Sequence, residues 1–318
     1  MIDIYGHIGL PRFGSAEDFI AQMDANGVDQ ALLSTAQFCP DVLELARAAR
    51  QYPERFRIVG LPVGPDSATR CQIVSQQLQG GFSGIRIPAT EALDNPALLD
   101  TVGRAGAFLI VVGFEPWLRF RDALHGFLER YPDCFIIGGH FAGVADPLLI
   151  RPGGALHSLY THPRFHVAFS RQGLMDVKTL APWADALVEV VGWKRLLWGS
   201  EWPVALWRNE SYADTMRVVD RFHLSQAQRN DFFEGNARRL VFSKPGPVVR
   251  QFTHTDDVMM HKSPGRISLL PHGMDISEAQ HLQLMQAFFK SQQHLTKTYR
   301  DFVQETLMRG LESLHGSA

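Results

Sequence analysis

IDIYGHIGLP, residues 2–11, is an apolar–polar alternation that stops at a histidine. Ile2, Ile4 and the ring of Tyr5 suit a short buried strand, because successive side chains of a strand point to opposite faces. Asp3 and His7 then come near the tip of that strand. A histidine at a strand end is compatible with a structural and with a chemical role, and the rest of the chain has to decide between them.

Similar runs recur along the chain, and their starts are separated by about 25 to 31 residues. The eight runs are 2–7, 29–36, 56–62, 82–87, 107–112, 134–140, 164–170 and 195–201. Most intervals between them have helical spacing of apolar residues, as at Val42, Leu45, Ala46 and Ala49. Strand, helix, strand at this interval is typical of right-handed βαβ units. Eight units predict an α/β fold, a (β/α)8 TIM-type barrel. A doubly wound open sheet is the alternative, but the sequence has no G-x-G-x-x-G phosphate turn.

Composition and charge are those of a soluble globular enzyme-sized chain. The 318 residues are 45% hydrophobic and 20% charged, which allows one large buried core. A net charge of −2 gives no electrostatic reason to expect nucleic acid or an anionic membrane as partner. Cys39, Cys71 and Cys134 are odd in number and have no C-x-x-C spacing, which favours reduced thiols. With no basic leader and no long apolar run, we expect a cytoplasmic protein.

Reactive side chains stand at the tips of three separate runs. His7 ends the first run, His140 the sixth and Glu201 the eighth. In a (β/α)8 barrel the C-terminal tips of the strands meet around one pocket. Two histidines and an acid at matching tips favour a shared site, so His7 is interpreted as functional.

Five segments resemble the amidohydrolase superfamily in content and order. They are IDIYGHIGLP, GFSGIRI (81–87), FIIGGHFAG (135–143), RLLWGSEWP (195–203) and GNARRLVF (235–242). The chain is most similar to the amidohydrolase-related branch, also called amidohydrolase 2. That branch includes 2-pyrone-4,6-dicarboxylate lactonases, sugar-acid lactonases and metal-dependent decarboxylases of aromatic acids. The resemblance covers about residues 1–242, and it implies hydrolytic or decarboxylating chemistry at the top of a distorted barrel.

The chain departs from the metal-dependent members of this family at three positions. Those members carry His-x-His at the end of strand 1, a histidine after strand 5 and an aspartate at strand 8. Here the corresponding residues are Tyr5-x-His7, Gly113 and Glu201. Tyrosine is a poor zinc ligand at neutral pH, because its reference pKa is near 10. We therefore expect no tightly bound cofactor; the alternative is a divalent metal such as zinc, held by His7, His140 and Glu201.

The lactonase branch implies a route that needs no metal. Glu201 is the candidate general base that takes a proton from water. His7, His140 and the hydroxyl of Tyr5 are candidate hydrogen-bond donors that polarise the carbonyl and stabilise the oxyanion. These four are the predicted catalytic residues.

Four further residues are predicted to bind the substrate. Arg86, at the tip of the fourth run, can hold a carboxylate bidentately, although a salt bridge that caps the barrel is an equal alternative. Gln37 and Arg171 follow the second and seventh runs and are weaker candidates. Trp202 follows Glu201 and shapes the pocket rather than reacting.

The family does not account for the end of the chain. The barrel is expected to occupy residues 1–243, and 244–274 is rich in proline and glycine and indicates an extended linker. Residues 275–318 form a predicted helical extension with Asp275 as N-cap and Glu278 at N3. Over 276–309 an aromatic and aliphatic stripe has helical spacing, which predicts a long amphipathic helix. Packing on its own barrel and association with another protein or a second copy are the two alternatives for that stripe.

Taken together, the sequence predicts a hydrolase that cleaves a lactone or other carboxylic ester without a tightly bound metal. Its substrate would be a small carboxylate-bearing molecule. Two alternatives remain. One is a metal-dependent hydrolase or decarboxylase, and the other is a catalytically degenerate barrel that acts as a binding or scaffold subunit, for example of a biosynthetic assembly line.

Overall fold

A computed structural model describes residues 1–9, 13–35, 41–113, 116–171, 173, 177–205, 210–251, 267–268 and 275–276. Eight parallel strands lie side by side in chain order, which confirms the predicted (β/α)8 barrel. The strands are β1 Ile2–His7, β2 Gln30–Ser34, β3 Phe56–Gly60, β4 Gly84–Pro88, β5 Phe108–Val112, β6 Ile136–Gly138, β7 Phe165–Phe169 and β8 Leu196–Trp198. Each is parallel to the next, so all the carboxyl ends emerge on one face.

Helices fill the intervals between the strands. They are α1 Ala16–Ala25, α2 Val42–Gln51, α3 Ser67–Gln79, α4 Glu91–Asp94, α5 Pro96–Arg104, α6 Arg121–Arg130, α7 His157–Thr161, α8 Val177–Val190, α9 Tyr212–Met216 and α10 Gln226–Asn230. Wider helical turns at Asp231–Gly235 and Arg238–Phe242 follow α10. Short 3-10 turns occur at Trp117–Phe120, His140–Ala142, Pro147–Leu149, Trp193–Arg195 and Arg217–Val219. Within the described ranges, every helix is too short or too polar to span a lipid bilayer.

Local signals in the sequence explain where these elements begin. β5 reads FLIVV because a parallel strand covered on both faces takes a continuous apolar run. Ser15 and Asp18 form a reciprocal capping box before α1. Asp66 caps α3 by accepting a 2.8 Å hydrogen bond from the Thr69 N–H.

The core has two layers, one inside the barrel and one between the barrel and its helices. The inner layer consists of apolar side chains from the strands, namely Ile2, Ile4, Tyr5, Leu32, Val59, Phe108, Ile110, Ile137, Ala168 and Leu197. Phe242 joins this layer at the amino ends of the strands, with its ring 5.2 Å from the Arg57 guanidinium. Each fully buried large side chain contributes roughly 1.5–3 kcal/mol to folding. The filled interior leaves the carboxyl ends of the strands as the place for chemistry.

The loop after β8 returns to β1 and nearly closes the barrel. The Glu201 N–H donates to the Tyr5 carbonyl at 2.7 Å, and the His7 N–H donates to the Trp202 carbonyl at 2.9 Å. Gly199 permits this approach, because a Cβ at that position would lie 2.5 Å from the Tyr5 Cβ. The first and last strands therefore carry their functional side chains to one place.

The segment after the barrel lies against the amino ends of the strands. The Lys244 carbonyl accepts a 3.5 Å hydrogen bond from Arg57, and the Arg250 N–H donates to the Gly80 carbonyl at 3.0 Å. Further on, Ile267–Ser268 pairs antiparallel with Asp275–Ile276. Asp275 and Ile276 are both extended in this pair, so the predicted helix does not begin at residue 276. The rest of the predicted helix, from residue 277 onward, lies outside the described residues.

Candidate functional site

Six polar side chains meet at the carboxyl ends of the strands. They are Tyr5, His7, Arg86, His140, Arg171 and Glu201, from β1, β4 and the turns after β6, β7 and β8. The Tyr5 ring is at the centre, with the His7 ring centroid at 5.0 Å and the His140 ring centroid at 5.1 Å, both edge to face. Tyr5, His7, His140 and Glu201 are each at most 4% exposed. The sequence-predicted convergence of strand tips is thus present in the geometry.

Glu201 forms its recorded ion pairs through one carboxylate oxygen. Its Oε1 is 3.2 Å from Arg171 Nη1 and 3.5 Å from His140 Nε2. A carboxylate that is 2% exposed needs such partners, because an unpaired buried charge is strongly destabilising. Arg171 therefore contacts the acid of the site and is more than a peripheral residue.

The backbone is strained at these same positions. His140, Arg171 and Glu201 have φ values of 54°, 65° and 55°, and Phe141 and Ala142 continue the left-handed turn after His140. Residues other than glycine rarely adopt this region, and each such residue costs about 1–3 kcal/mol. Strain of this kind concentrates at functional sites, where it aims a side chain that a relaxed backbone would turn away.

Arg86 and Tyr5 form a second pair in the site. The Arg86 Nε–H donates to the Tyr5 hydroxyl oxygen at 2.6 Å, and the guanidinium carbon lies 5.8 Å from the ring centroid. Burial raises the pKa of Tyr5 above its usual value, although the Arg86 charge opposes that shift. The phenol therefore stays protonated. Among the described residues its own proton has no recorded acceptor, so it can be given to a substrate.

Both histidines are oriented by a serine at the carboxyl end of the next strand. His7 Nδ1 is 2.9 Å from the Ser34 hydroxyl at the end of β2. His140 Nδ1 is 3.1 Å from the Ser170 hydroxyl, which follows β7. The His7 ring also stacks on Phe13, with centroids 4.9 Å apart. In each ring the second nitrogen, Nε2, is on the opposite edge from its serine.

Asp3 connects the strands that carry the site, and the sequence indicated only that it lies near a strand tip. Its carboxylate accepts hydrogen bonds from the N–H groups of Tyr5 and Ser200, from the Ser200 hydroxyl and from the Tyr212 hydroxyl. Burial nevertheless raises the pKa of this carboxyl above its usual value. Asp3 thus holds β1, the turn before Glu201 and α9 together.

Of the two remaining predicted substrate-binding residues, the structure describes Trp202 alone. Gln37 lies outside the described residues. The Trp202 ring packs on Tyr212 of α9 with centroids 5.7 Å apart, and its carbonyl accepts the His7 N–H. Trp202 thereby supports the backbone of His7.

The residues present do not fit a catalytic zinc ion. Nowhere in the described part of the chain do three His, Cys, Asp or Glu side chains lie together as metal ligands. The protonated Tyr5 phenol is a poor ligand, and zinc prefers histidine, thiolate and carboxylate. Arg86 and Arg171 already place positive charge beside Tyr5 and Glu201.

Ser34, Ser170 and Asp3 are the site residues that sequence reasoning did not assign. The two serines stood at predicted strand tips, and that position was the available signal. Asp3 had a signal in its alternation with Tyr5 and His7, but its partners Ser200 and Tyr212 are remote in sequence.

Comparisons with known proteins agree with this architecture. A family model described as amidohydrolase matches residues 4–242. An amidohydrolase from Burkholderia multivorans with bound zinc superposes with a TM-score of 0.58 at 21% identity, covering 75% of this chain and 97% of that one. A probable 2-pyrone-4,6-dicarboxylic acid hydrolase from Acinetobacter baumannii with citric acid bound gives 0.58 at 16% identity, covering 75% and 98%.

A 2,6-dihydroxybenzoate decarboxylase from Rhizobium gives a TM-score of 0.56 at 16% identity, covering 75% of this chain and 97% of that one. At these identities the superpositions show a common fold. No curated protein sequence matches the chain.

Proposed function

This chain belongs to the amidohydrolase family, and we propose that it is a hydrolase that cleaves a lactone or other carboxylic ester bearing a free carboxylate, without a tightly bound metal. Glu201 is the general base, Tyr5, His7 and His140 stabilise the oxyanion, and Arg86 binds the substrate carboxylate. The citrate-bound pyrone-dicarboxylic acid hydrolase among the structural neighbours supports an anionic substrate.

The main support for the proposal is the burial of the Arg86 guanidinium and its hydrogen bonding. Its guanidinium is half-buried, and among the described residues its one recorded hydrogen bond is the donation from Nε to Tyr5. No carboxylate within the described ranges forms a recorded ion pair with it. A partly buried cation whose two terminal amino groups have no recorded acceptor among the described residues suits a bidentate carboxylate ligand.

The same pair links binding to chemistry. The Tyr5 hydroxyl accepts from Arg86 and keeps its own proton, because burial raises the pKa of Tyr5. A carboxylate held by Arg86 would therefore bring the neighbouring ester carbonyl within reach of a phenolic donor. Donors that are fixed before the reaction stabilise the oxyanion without reorganisation.

The reaction then follows from general-base catalysis. Glu201 takes a proton from water, and the hydroxide adds to the ester carbonyl carbon. Negative charge develops on the carbonyl oxygen, where Tyr5, His7 and His140 donate hydrogen bonds. When the tetrahedral carbon collapses, its bond to the leaving oxygen breaks and that oxygen receives the proton held by Glu201. Water and one ester give a carboxylic acid and an alcohol.

Strain at the site favours an active enzyme over a degenerate scaffold. Left-handed backbone at His140, Arg171 and Glu201 costs several kcal/mol in sum. A barrel kept only as a binding subunit would have no reason to hold a buried acid between an arginine and a histidine. This supports retained chemistry.

Matched substrates test the proposal. We expect a lactone with a ring carboxylate to be hydrolysed with a kcat/KM about 10- to 100-fold above that of the same lactone without it, as one charged bidentate contact is worth about 1.5–3 kcal/mol. Arg86→Met should abolish that preference, whereas the exposed Arg104→Met should keep it. Equal rates on the two lactones, or an unchanged preference in Arg86→Met, would contradict the proposed role of Arg86.

A further inference from the structure

The geometry points to Ser34 and Ser170 as positioning residues that fix the tautomers of the two site histidines. We infer that each serine hydroxyl donates to Nδ1, so that both neutral imidazoles carry their proton on Nε2. His7 and His140 are then hydrogen-bond donors, and Glu201 alone acts as base. The inference rests on the proposed function for the meaning of these roles, while the tautomers themselves can be measured independently.

The Ser170 hydroxyl has two recorded partners, and both belong to His140. The backbone N–H of His140 donates to the Ser170 oxygen at 3.1 Å, and His140 Nδ1 lies 3.1 Å from the same oxygen. Ser170 is fully buried, so its hydroxyl proton needs an acceptor within the protein. Within the described residues, the recorded acceptor is His140 Nδ1.

The opposite tautomer would leave that proton without a partner. If Nδ1 carried hydrogen, two N–H groups would point at one serine oxygen and the Ser170 proton would be buried unsatisfied. An unsatisfied buried donor costs more than a hydrogen bond gains. His140 therefore accepts at Nδ1 and carries its proton at Nε2, because the hydrogen bond at one ring nitrogen sets the state of the other.

Ser34 repeats the arrangement at the other histidine. It is 1% exposed, and its hydroxyl is 2.9 Å from His7 Nδ1, its recorded partner in the described part of the chain. The strand register fixes this contact, since His7 of β1 and Ser34 of β2 are direct neighbours across the sheet. The Ser34 carbonyl also accepts the Ile8 N–H at 3.2 Å, which holds the backbone after His7 in place.

The tautomers decide which group can act as a base. The His140 Nε2 edge is 3.5 Å from Glu201 Oε1, so its proton is on the side of the carboxylate. A nitrogen that already carries hydrogen cannot take a proton from water, which leaves Glu201 for that step. The Tyr5 ring contacts both histidine rings, so the site has three donors and one base, as oxyanion stabilisation with general-base catalysis needs.

Nitrogen-15 NMR on the full-length protein with labelled histidine tests the inference without substrate. Long-range proton–nitrogen correlations distinguish the two neutral tautomers and the imidazolium. The signals of His7 and His140 are assigned by their loss in His7→Gln and His140→Gln. We expect both rings to be neutral with hydrogen on Nε2 near pH 8. Hydrogen on Nδ1 of either ring would overturn the inference for that ring.

Kinetics of serine variants give a second measurement. In Ser170→Ala the His140 ring loses its donor, so we expect a mixture of tautomers and a kcat reduced about tenfold, with KM nearly unchanged, as expected for one lost neutral hydrogen bond. Ser75→Ala, on the outer helix α3, is the matched control and should retain both the tautomers and kcat. An unchanged His140 tautomer in Ser170→Ala would contradict the positioning role.

The two proposals fail in different ways. If the tautomers are as inferred but no ester or lactone is hydrolysed, the proposed function is wrong and the assignment of the serines stands. If hydrolysis occurs and either ring carries hydrogen on Nδ1, the proposed function stands and the inference is wrong.

Discussion

Tyr5→Phe isolates one hydroxyl at the centre of the site. The phenylalanine ring keeps the edge-to-face contacts at 5.0 and 5.1 Å with His7 and His140, so the packing between the histidines is retained. What is lost is the oxygen that accepts from Arg86 at 2.6 Å and the proton available to the substrate. Removing one oxyanion donor typically costs about 2.7–4 kcal/mol of transition-state stabilisation, which corresponds to a kcat lowered about 10² to 10³-fold.

Steady-state kinetics on a carboxylate-bearing lactone measure this effect. KM should change far less than kcat, because the oxyanion bond forms only as charge develops. Tyr131→Phe is the matched control, since that hydroxyl is half-buried and bonds to Asp100 at 2.9 Å, far from the strand tips. A kcat in Tyr5→Phe within about threefold of the unchanged protein would refute the donor role of Tyr5.

Three further changes have defined outcomes. Glu201→Gln keeps the size of the side chain and removes its basicity, so kcat should fall by about 10² to 10⁴ with little change in analogue binding; near-normal turnover would rule out Glu201 as base. Burial lowers the pKa of His166 to about 3, whereas the unfolded chain titrates near 6.5. As pH falls from 6.5 towards 3, the unfolded chain therefore binds a proton at His166 that the native state does not bind. The free energy of unfolding should decrease by about 1.4 kcal/mol per pH unit over this range. In urea titrations His166→Asn should lose this slope while the exposed His223→Asn keeps it, and equal slopes in both variants would contradict the assignment. A chain that ends at Gln251 retains the segment on the barrel floor, and light scattering should show a smaller species if the predicted C-terminal helix mediates association; an unchanged mass would mean that it does not.

The barrel could be predicted because its information is local and repeated. Each strand is a short apolar run, and the runs recur at nearly constant intervals. The predicted run 195–201 is longer than the strand, which ends at Trp198, and 134–140 is longer than β6, which ends at Gly138. In both cases the left-handed backbone at Glu201 and His140 ends the extended conformation, and no sequence pattern marks a left-handed residue that is not glycine.

The pairing of side chains was beyond the sequence because it depends on three-dimensional adjacency. Arg86 was expected at the pocket, but its bond to Tyr5 joins strands that are not neighbours in the sheet. The ion pair of Arg171 with Glu201 joins two turns whose backbones are both strained. Asp3 could be placed in the first strand from the sequence, but its bonds to Ser200 and Tyr212 join residues remote in the chain. Strand tips can thus be read from periodicity, whereas contacts between tips cannot.

Turnover of a carboxylate-bearing lactone by metal-depleted protein tests the central claim most directly. Elemental analysis of the purified full-length chain should accompany the rate measured before and after chelation, because the same site must be shown to lack metal and to react. Arg86 beside Tyr5 and Arg171 beside Glu201 predict substoichiometric metal and a rate that chelation leaves unchanged. Glu201→Gln should lower that rate by about 10² to 10⁴. One tightly held divalent ion per chain, whose removal stops hydrolysis and whose return restores it, would contradict the account.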